Sequence, residues 1–201
     1  MILAMETAIS SGSVALTDAG GRSLAAWTGD RGQRPRAEML VSVVRHLLSS
    51  ISRPMTDIDL IAVSAGPGSF TGIRAGLATG LGLSTALGLK FASCHALEAM
   101  GRSSHGCVTV AVPVGRDTAC FQSFVDGWPV DPPQLAAEAT FIGGLESEAD
   151  RRAILHSELY EKMSANVSSV DFGVDIASAI ARFVAEDPSV SREPLFLSKS
   201  L

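Results

Sequence analysis

Glu6 is the first residue whose type and position could serve chemistry, because it ends an apolar run that predicts a strand. A carboxylate at such a strand end, followed by a loop that grips phosphate, is what a magnesium nucleotide needs. The small residues of Ala8–Ser13 could form one such loop. However, no second strand-end carboxylate occurs over Val110–Gly115, and one carboxylate does not make a metal site. The sequence therefore favours a structural role for Glu6.

The turn Gly66-Pro67-Gly68-Ser69-Phe70-Thr71-Gly72 lies between the apolar run Leu60–Val63 and a predicted helix. Backbone amides exposed at a strand-to-helix turn can hold an anion. The turn lacks the Gly-Lys-Ser/Thr of a Walker loop and misses the dinucleotide fingerprint by one residue. Two interpretations stay open. Either Ser69 caps the helix of a plain tight turn, or the turn binds an anion through Gly66, Gly68, Ser69 and Thr71.

Gly72, Gly76 and Gly80 recur at every fourth position of that helix, so they share one face. Each glycine inside a helix costs about 1 kcal/mol relative to alanine. Close approach of another backbone is the reason that would justify three of them. The approaching chain could be a neighbouring element of the same molecule or a second polypeptide, and the spacing alone does not choose between them.

The sequence contains no motif that is typical of a hydrolytic active site or of a metal-binding site. The four histidines are scattered without HxxxH spacing, and Cys94, Cys107 and Cys120 include no CxxC pair. Cys94 and His95 are adjacent, but neighbours on a strand point to opposite faces. We therefore predict no catalytic residue, no metal and no cofactor.

Composition narrows the class of protein. The formal net charge of −5 and the lack of a Lys/Arg run disfavour a broad electrostatic contact with nucleic acid. Phe70–Leu89 carries Arg74 as its single charge, but its glycines make it a poor membrane span. The N-terminus has neither the basic region nor the apolar stretch of an export signal. With unpaired cysteines, these features predict a cytoplasmic protein without membrane contact.

The elements that must position these residues are predicted from apolar patterns and turn signals. Three apolar-rich runs with hairpin-sized gaps come first, at Ile2–Thr7, Gly12–Thr17 and Ser23–Thr28. A helix follows, with apolar residues on one face from Leu40 to Ile51. The later elements are a strand at Leu60–Ser64, the glycine-rich helix ending near Leu87 and a strand at Lys90–Ser93. This order predicts an α/β, ribonuclease-H-like lobe, the unit shared by actin, sugar kinases and chaperone ATPases.

The second half gives weaker signals. Strands are predicted at Cys107–Val114, Ala119–Val125, Ala139–Ile142 and Arg152–Leu155. The proline-rich segment Trp128–Pro133 predicts irregular structure. Ile176–Val184 predicts a last amphipathic helix. We assign residues 1–104 and a C-terminal helix at about 172–190 to lobe 1, and about 105–171 to a smaller, reduced lobe 2.

About the first hundred residues resemble the TsaB (YeaZ) family, a glycoprotease-like (M22-like) branch of the ASKHA superfamily required for threonylcarbamoyladenosine in tRNA. The family opens with a strand similar to Ile2-Leu3-Ala4-Met5-Glu6-Thr7-Ala8. Its strongest signature resembles the stretch that starts at Ile58, includes the turn at residues 66–72 and ends at Thr79. Near the C-terminus, Glu193-Pro194-Leu195-Phe196-Leu197 is similar to the family's terminal segment.

The resemblance implies an actin/Hsp70-like fold of two lobes, with a mixed sheet flanked by helices. It also implies a protein without chemistry of its own. Such a protein pairs with the catalytic paralogue TsaD and the ATPase TsaE, and meets tRNA only through that complex. Members also form homodimers through the two helices of the first lobe. On this basis we predict a partner or dimer interface at Arg36, Met39, Leu40, Val43, Leu47, Gly72, Ile73, Ala75, Gly76, Thr79 and Gly80.

Several positions depart from the family pattern and mark the chain as a divergent member. The usual Asp-Thr-Ser is Glu6-Thr7-Ala8, and the Asp-Ala-Arg of the second lobe is Val114-Gly115-Arg116. The final Tyr-Leu-Arg is Phe196-Leu197-Ser198, and Arg36 stands where relatives have a histidine on the first helix. These departures bear on which partner contacts the chain keeps.

Two alternative functions stay open. The architecture and Glu6 suggest an ATP-dependent phosphotransferase or ATPase, which tight binding of ATP with magnesium would favour. Relatives labelled glycoproteases suggest an M22-type metallopeptidase. The catalytic paralogue carries a metal-binding HxxxH on its first helix, and Arg36-Ala37-Glu38-Met39-Leu40 at the similar place here contains no histidine.

Overall fold

The computed structural model describes residues 1–29, 37–147, 152–163, 170–172 and 175–195. Its first sheet consists of β1 (Ile2–Glu6), β2 (Ser13–Thr17), β3 (Ser23–Thr28), β4 (Leu60–Ser64) and β5 (Lys90–Cys94). The strands lie in the order β3-β2-β1-β4-β5. β1, β2 and β3 pair antiparallel, whereas β4 and β5 run parallel to β1. The mixed sheet predicted for the first half is thus confirmed.

The second sheet consists of β6 (Cys107–Pro113), β7 (Thr118–Val125), β8 (Trp128–Pro129), β9 (Gln134–Ala137), β10 (Arg152–Leu155) and β11 (Val170–Phe172). Its order is β11-β10-β6-β7-β8, and β9 also pairs with β7. β6 and β7 form an antiparallel hairpin, while β10 runs parallel to both β6 and β11. Both sheets therefore join antiparallel strands to parallel ones.

Helices cover the two sheets and separate them. They are α1 (Ala37–Ser50), α2 (Phe70–Leu87), α3 (Ala96–Gly101), α4 (Glu138–Ser147), α5 (Ser157–Tyr160) and α6 (Ile176–Glu186), with a 3-10 turn at Met55–Asp57. α1 and α2 pack on the first sheet, α4 and α5 pack on the second, and α6 lies against β1, β2 and β4. No helix in the described ranges is long and apolar enough to cross a lipid bilayer.

The side chains of β1 alternate between two hydrophobic clusters, one on each face of the first sheet. Ile2 and Ala4 belong to a cluster that includes α3, α6 and the inner face of the second sheet. Leu3 and Met5 point the other way, into a cluster with α1. Because successive side chains of a strand face opposite sides, the apolar residues of β1 pack against both helical layers. Phe124 of β7 lies in the same cluster as Ile2, so a shared core joins the two sheets.

The chain beyond α6 returns along β5, the edge strand of the first sheet. The Ser93 amide donates to the Val190 carbonyl at 3.1 Å, and the Arg192 amide donates to the Ser93 carbonyl at 3.0 Å. Further on, the Leu195 amide donates to the Ala65 carbonyl at 2.8 Å. We call residues 190–195 the edge segment. It pairs with the backbone of β5 at Ser93 and reaches the turn after β4.

Two predictions for the second half are wrong. The segment predicted as a strand at Ala139–Ile142 lies in α4, whose Phe141, Ile142 and Leu145 are buried on one helical face. The Gly143 and Gly144 pair does not end this helix, which continues to Ser147. Trp128–Pro133 contains the short strand β8, and its Pro129 is tolerated because β8 lies at a sheet edge. The elements that were not predicted include α3, α5, β9 and β11.

Candidate functional site

The glycine face of α2 packs against the chain's own first sheet. A β-carbon added to Gly72 would clash with the Thr7 carbonyl oxygen and lie 2.7 Å from the Ala8 α-carbon. At Gly76 it would clash with the Thr7 side chain, and at Gly80 it would lie 2.5 Å from Val63. The backbone that comes close to these glycines therefore belongs to the same chain, and not to a second polypeptide. The interface prediction is wrong for all three.

Three more predicted interface residues are buried in the chain's own core. These residues are Leu40 and Leu47 of α1 and Ile73 of α2, and each side chain is at most 5% exposed. Side chains that already fill a monomer core are unable to reach a partner without unfolding it. Val43, Ala75 and Thr79 are half-buried, and Met39 is 42% exposed. Arg36 lies outside the described residues.

The opposite side of α2 carries large side chains in contact with solvent. We call Phe70, Arg74, Ala78 and Leu81 the outer face of α2; all four are exposed. Phe70 is 52% exposed and Leu81 is 49% exposed, and the Arg74 guanidinium stacks on the Phe70 ring at 4.3 Å. The sequence could have indicated this exposed face, because its residues recur at helical spacing on the side of α2 opposite the glycines. Two large apolar side chains of α2, Phe70 and Leu81, are thus exposed to solvent on its outer face.

The turn before α2 is held by hydrogen bonds within the chain. The Ser69 side chain accepts from the Gly72 amide at 3.4 Å, so the capping interpretation is confirmed. The Gly66 amide donates to the Ser64 hydroxyl at 3.2 Å, and the Ser69 amide donates to the Ala8 carbonyl at 2.8 Å. An anion at this turn would have to compete with these bonds or use the other amides, such as those of Gly68 and Thr71.

We expect Ser69→Ala to lower the free energy of unfolding by about 1 kcal/mol, the usual cost of losing a helix cap. The reason is that the Gly72 amide loses its side-chain acceptor at the first turn of α2. Ser69→Asp is the matched control, since its carboxylate can accept the same bond. Urea denaturation of the three proteins measures the effect. Equal stability of the alanine variant and the wild type would contradict it.

Glu6 is 1% exposed and lies where β1 ends. Its Oε1 accepts hydrogen bonds from the Ala8 amide at 2.5 Å and from the Ile9 amide at 2.9 Å. Burial raises the pKa of Glu6 to about 8, although these amide hydrogen bonds work in the opposite direction. The carboxyl group therefore holds its own loop together, which is the structural role predicted from the sequence.

A cavity of about 110 Å³ lies between the two sheets next to Glu6. Ser13, His156 and Asp175 also line it. Asp175 caps α6 by accepting from the Ala177 amide at 3.1 Å, and His156 accepts from the Glu158 amide at 3.3 Å. Within the described ranges, no three His, Cys, Asp or Glu residues are grouped to hold a metal ion. The polar groups shown here stabilise loop and helix starts.

Cys94 and His95 take different positions, as their adjacency predicted. Cys94 is fully buried, and this burial raises the pKa of its thiol, which favours the unreactive form. The His95 ring contacts the Glu193 carbonyl of the edge segment at 3.0 Å. The pair does not form a nucleophile with its base.

Comparison with known proteins agrees with this architecture. Residues 31–117 match the model of a family described as TsaD, tRNA N6-adenosine threonylcarbamoyltransferase. Uncharacterized proteins of Mycobacterium tuberculosis and Mycobacterium bovis are each 32% identical over 106 residues, which are 53% of this chain and 50% of theirs. The chain therefore spans about half the length of the curated relatives it matches.

Two solved structures share the fold over most of the chain. YeaZ from Pseudomonas aeruginosa has a TM-score of 0.65 and 21% identity, covering 98% of this chain and 99% of its own. An activator of 2-hydroxyisocaproyl-CoA dehydratase from Clostridium difficile, solved with bound ADPNP, has a TM-score of 0.58 and 9% identity, covering 92% and 94%. The chain thus has the fold of YeaZ, and its residues 31–117 are similar to the TsaD family.

Proposed function

We propose that this chain is a non-catalytic subunit of the machinery that makes N6-threonylcarbamoyladenosine in tRNA. It pairs with a TsaD-like catalytic subunit and works with a TsaE-like ATPase in the cytoplasm, meeting tRNA through that complex. The family match over residues 31–117 and the YeaZ-like fold support a role in this modification. The outer face of α2 is the observation that carries the partner role.

The outer face of α2 has the features of a docking surface. Glycines on the inner face bring the helix close to the sheet, while Phe70 and Leu81 project outward. Exposed aromatic side chains beside an arginine are typical of residues that dominate binding energy in protein interfaces. Met39 of α1 adds a further exposed apolar side chain on the neighbouring helix. A TsaD-like subunit, or a second copy of this chain when it is isolated, would bury these residues.

Affinity purification of the full chain from its native cell tests the proposal, with mass spectrometry to identify what is bound. We expect a TsaD-like protein among the bound partners. We also expect tRNA from cells that lack this chain to contain less threonylcarbamoyladenosine. Unchanged modification in those cells would contradict the proposed function.

We expect Leu81→Glu to weaken pairing with the TsaD-like subunit by at least about tenfold, since a charge would be buried at the interface. Val130→Glu is the matched control, because Val130 is 60% exposed but follows β8 of the second sheet. Titration calorimetry with the purified partner measures both, and circular dichroism verifies that they fold. Equal affinity of the two variants would place the interface elsewhere.

The alternative of an ATP-dependent phosphotransferase is less well supported by the residues of the cavity between the sheets. The volume of this cavity, about 110 Å³, is smaller than the volume of typical ligand sites, which is about 300 Å³ or more. Glu6 is bound to amides of its own loop, so it is not placed to hold magnesium. Calorimetry with ATP and magnesium distinguishes the two functions, and tight binding by the isolated chain would favour the phosphotransferase. Stoichiometric zinc or iron in the purified protein would favour the metallopeptidase.

A further inference from the structure

A groove lies between α1 and α2, which pack side by side on the first sheet. Its volume is about 530 Å³. Apolar side chains of both helices form most of its lining, together with two exposed arginines. We call it the α1–α2 groove, and its lining includes Val41, Arg45 and Leu48 of α1, Arg53 after α1, and Leu83 and Leu87 of α2.

The shape of the α1–α2 groove suits a helix. Its lining residues on α1 are Val41, Arg45, Leu48 and Ser49, which recur at helical spacing along one side of that helix. This side extends for about 12 Å, the length of roughly two helical turns. Amphipathic helices commonly bind such apolar grooves through anchors three and four positions apart.

The groove carries positive charge in a chain whose formal net charge is −5. The formally charged residues of α1 and α2 are Glu38, Arg45 and Arg74, and Glu38 stands about two helical turns before Arg45. Arg53 is bridged to Asp57 at 3.1 Å. In the part of the chain that the structure describes, neither Arg45 nor Arg74 has an ion pair, and Arg74 stacks on an aromatic ring. The surface around the groove therefore lacks carboxylates to balance these two arginines.

We propose that the α1–α2 groove takes an acidic amphipathic helix of the TsaD-like subunit. Apolar residues of that helix enter the groove between Leu48 and Leu83, and its carboxylates meet Arg45 and Arg74. The identity of the partner rests on the proposed function, whereas the acidic and apolar character of its helix is inferred from the groove. Complementary charge of this kind acts mainly on the choice of partner and on the rate of association.

The same charge makes a second copy of the chain a poor occupant. The exposed apolar face that another copy would offer is the outer face of α2, which carries Arg74 beside Phe70. Arg45 would then face a second arginine, and like charges opposed across an interface are costly. Because salt screens charges, we expect added salt to strengthen self-association of the isolated chain and to weaken its pairing with the TsaD-like subunit.

Arg45→Glu tests the proposal through two measurements on the full chain. Titration calorimetry measures pairing with the TsaD-like subunit, and sedimentation equilibrium measures self-association, each between about 50 and 300 mM NaCl. We expect the variant to bind the subunit at least about tenfold more weakly at the lower salt concentration. We also expect it to self-associate more tightly than the wild type, because the new carboxylate can meet Arg74 of a second copy.

Arg116→Glu is the matched control, since it makes the same change of charge at an exposed turn between β6 and β7. It should change neither affinity, and circular dichroism verifies that both variants fold. Equal affinities of the two variants for the subunit, or equal self-association, would overturn the assignment. So would wild-type self-association that weakens as salt is added. If the wild type binds no TsaD-like subunit, the proposed function fails, and self-association of the two variants still decides whether Arg45 selects by charge.

Discussion

Gly72→Ala is expected to lower the free energy of unfolding by about 3 kcal/mol or more, the upper range for inserting a methyl group into a packed interior. The new β-carbon would clash with the Thr7 carbonyl oxygen and lie 2.7 Å from the Ala8 α-carbon. Both are backbone atoms, so relief requires α2 to move away from β1. Urea denaturation followed by circular dichroism measures the loss.

Gly82→Ala is the matched control for this effect. Gly82 lies in the same helix, is exposed, and has no atom within 4 Å of an added β-carbon. We expect this variant to be more stable than the wild type by about 0.5–1 kcal/mol, from helix propensity alone. Equal effects of the two substitutions would show that the glycine face does not pack tightly on the sheet.

The stability of the wild type is expected to fall as the pH rises from 4.5 to about 8, owing to Glu6. Burial raises its pKa, so the native protein keeps a proton that the unfolded chain has already lost. The contribution of Glu6 is therefore fully present below pH 4.5 and is lost as the pH rises through about 8. Where only the unfolded chain has lost the proton, the free energy of unfolding falls by up to about 1.4 kcal/mol per pH unit.

Glu6→Gln isolates this contribution from those of other titrating groups. The glutamine carbonyl can accept from the same Ala8 and Ile9 amides, but it carries no titrating proton. Urea denaturation of both proteins over this pH range should give curves that diverge steadily, with the wild type losing stability relative to the variant. Parallel curves would show that the proton on Glu6 is not retained by folding.

Much of the first half could be predicted because its patterns are regular. The strand at Leu60–Ser64, the end of α2 at Leu87 and the capping by Ser69 follow from apolar runs, Gly88 and helix-start preferences. The spacing of Gly72, Gly76 and Gly80 also indicated that a backbone comes close. The spacing did not indicate whether that backbone belongs to the same chain or to another one. Either contact requires residues without a side chain at these positions.

The features that were missed depend on tertiary contacts. α3 has six residues, too few for a helical period to stand out, and its burial between the sheets stabilises it. α4 contains two adjacent glycines that suggest a turn, but packing of Phe141 and Leu145 on the second sheet overrides them. The hydrogen bonds of Glu6 depend on the backbone conformation of the next three residues. The pattern of apolar residues in the sequence does not predict that conformation. Of the divergent positions, Arg36 and Ser198 lie outside the described residues.

The edge segment limits how this molecule can associate. An open edge strand offers unpaired backbone groups to strands of other molecules, which is a common route to aggregation and to peptide capture. At Ser93 both the amide and the carbonyl of β5 are already bonded to Val190 and Arg192. A foreign strand would first have to displace the protein's own C-terminal residues there. Assembly by sheet extension along β5 is thus opposed at Ser93.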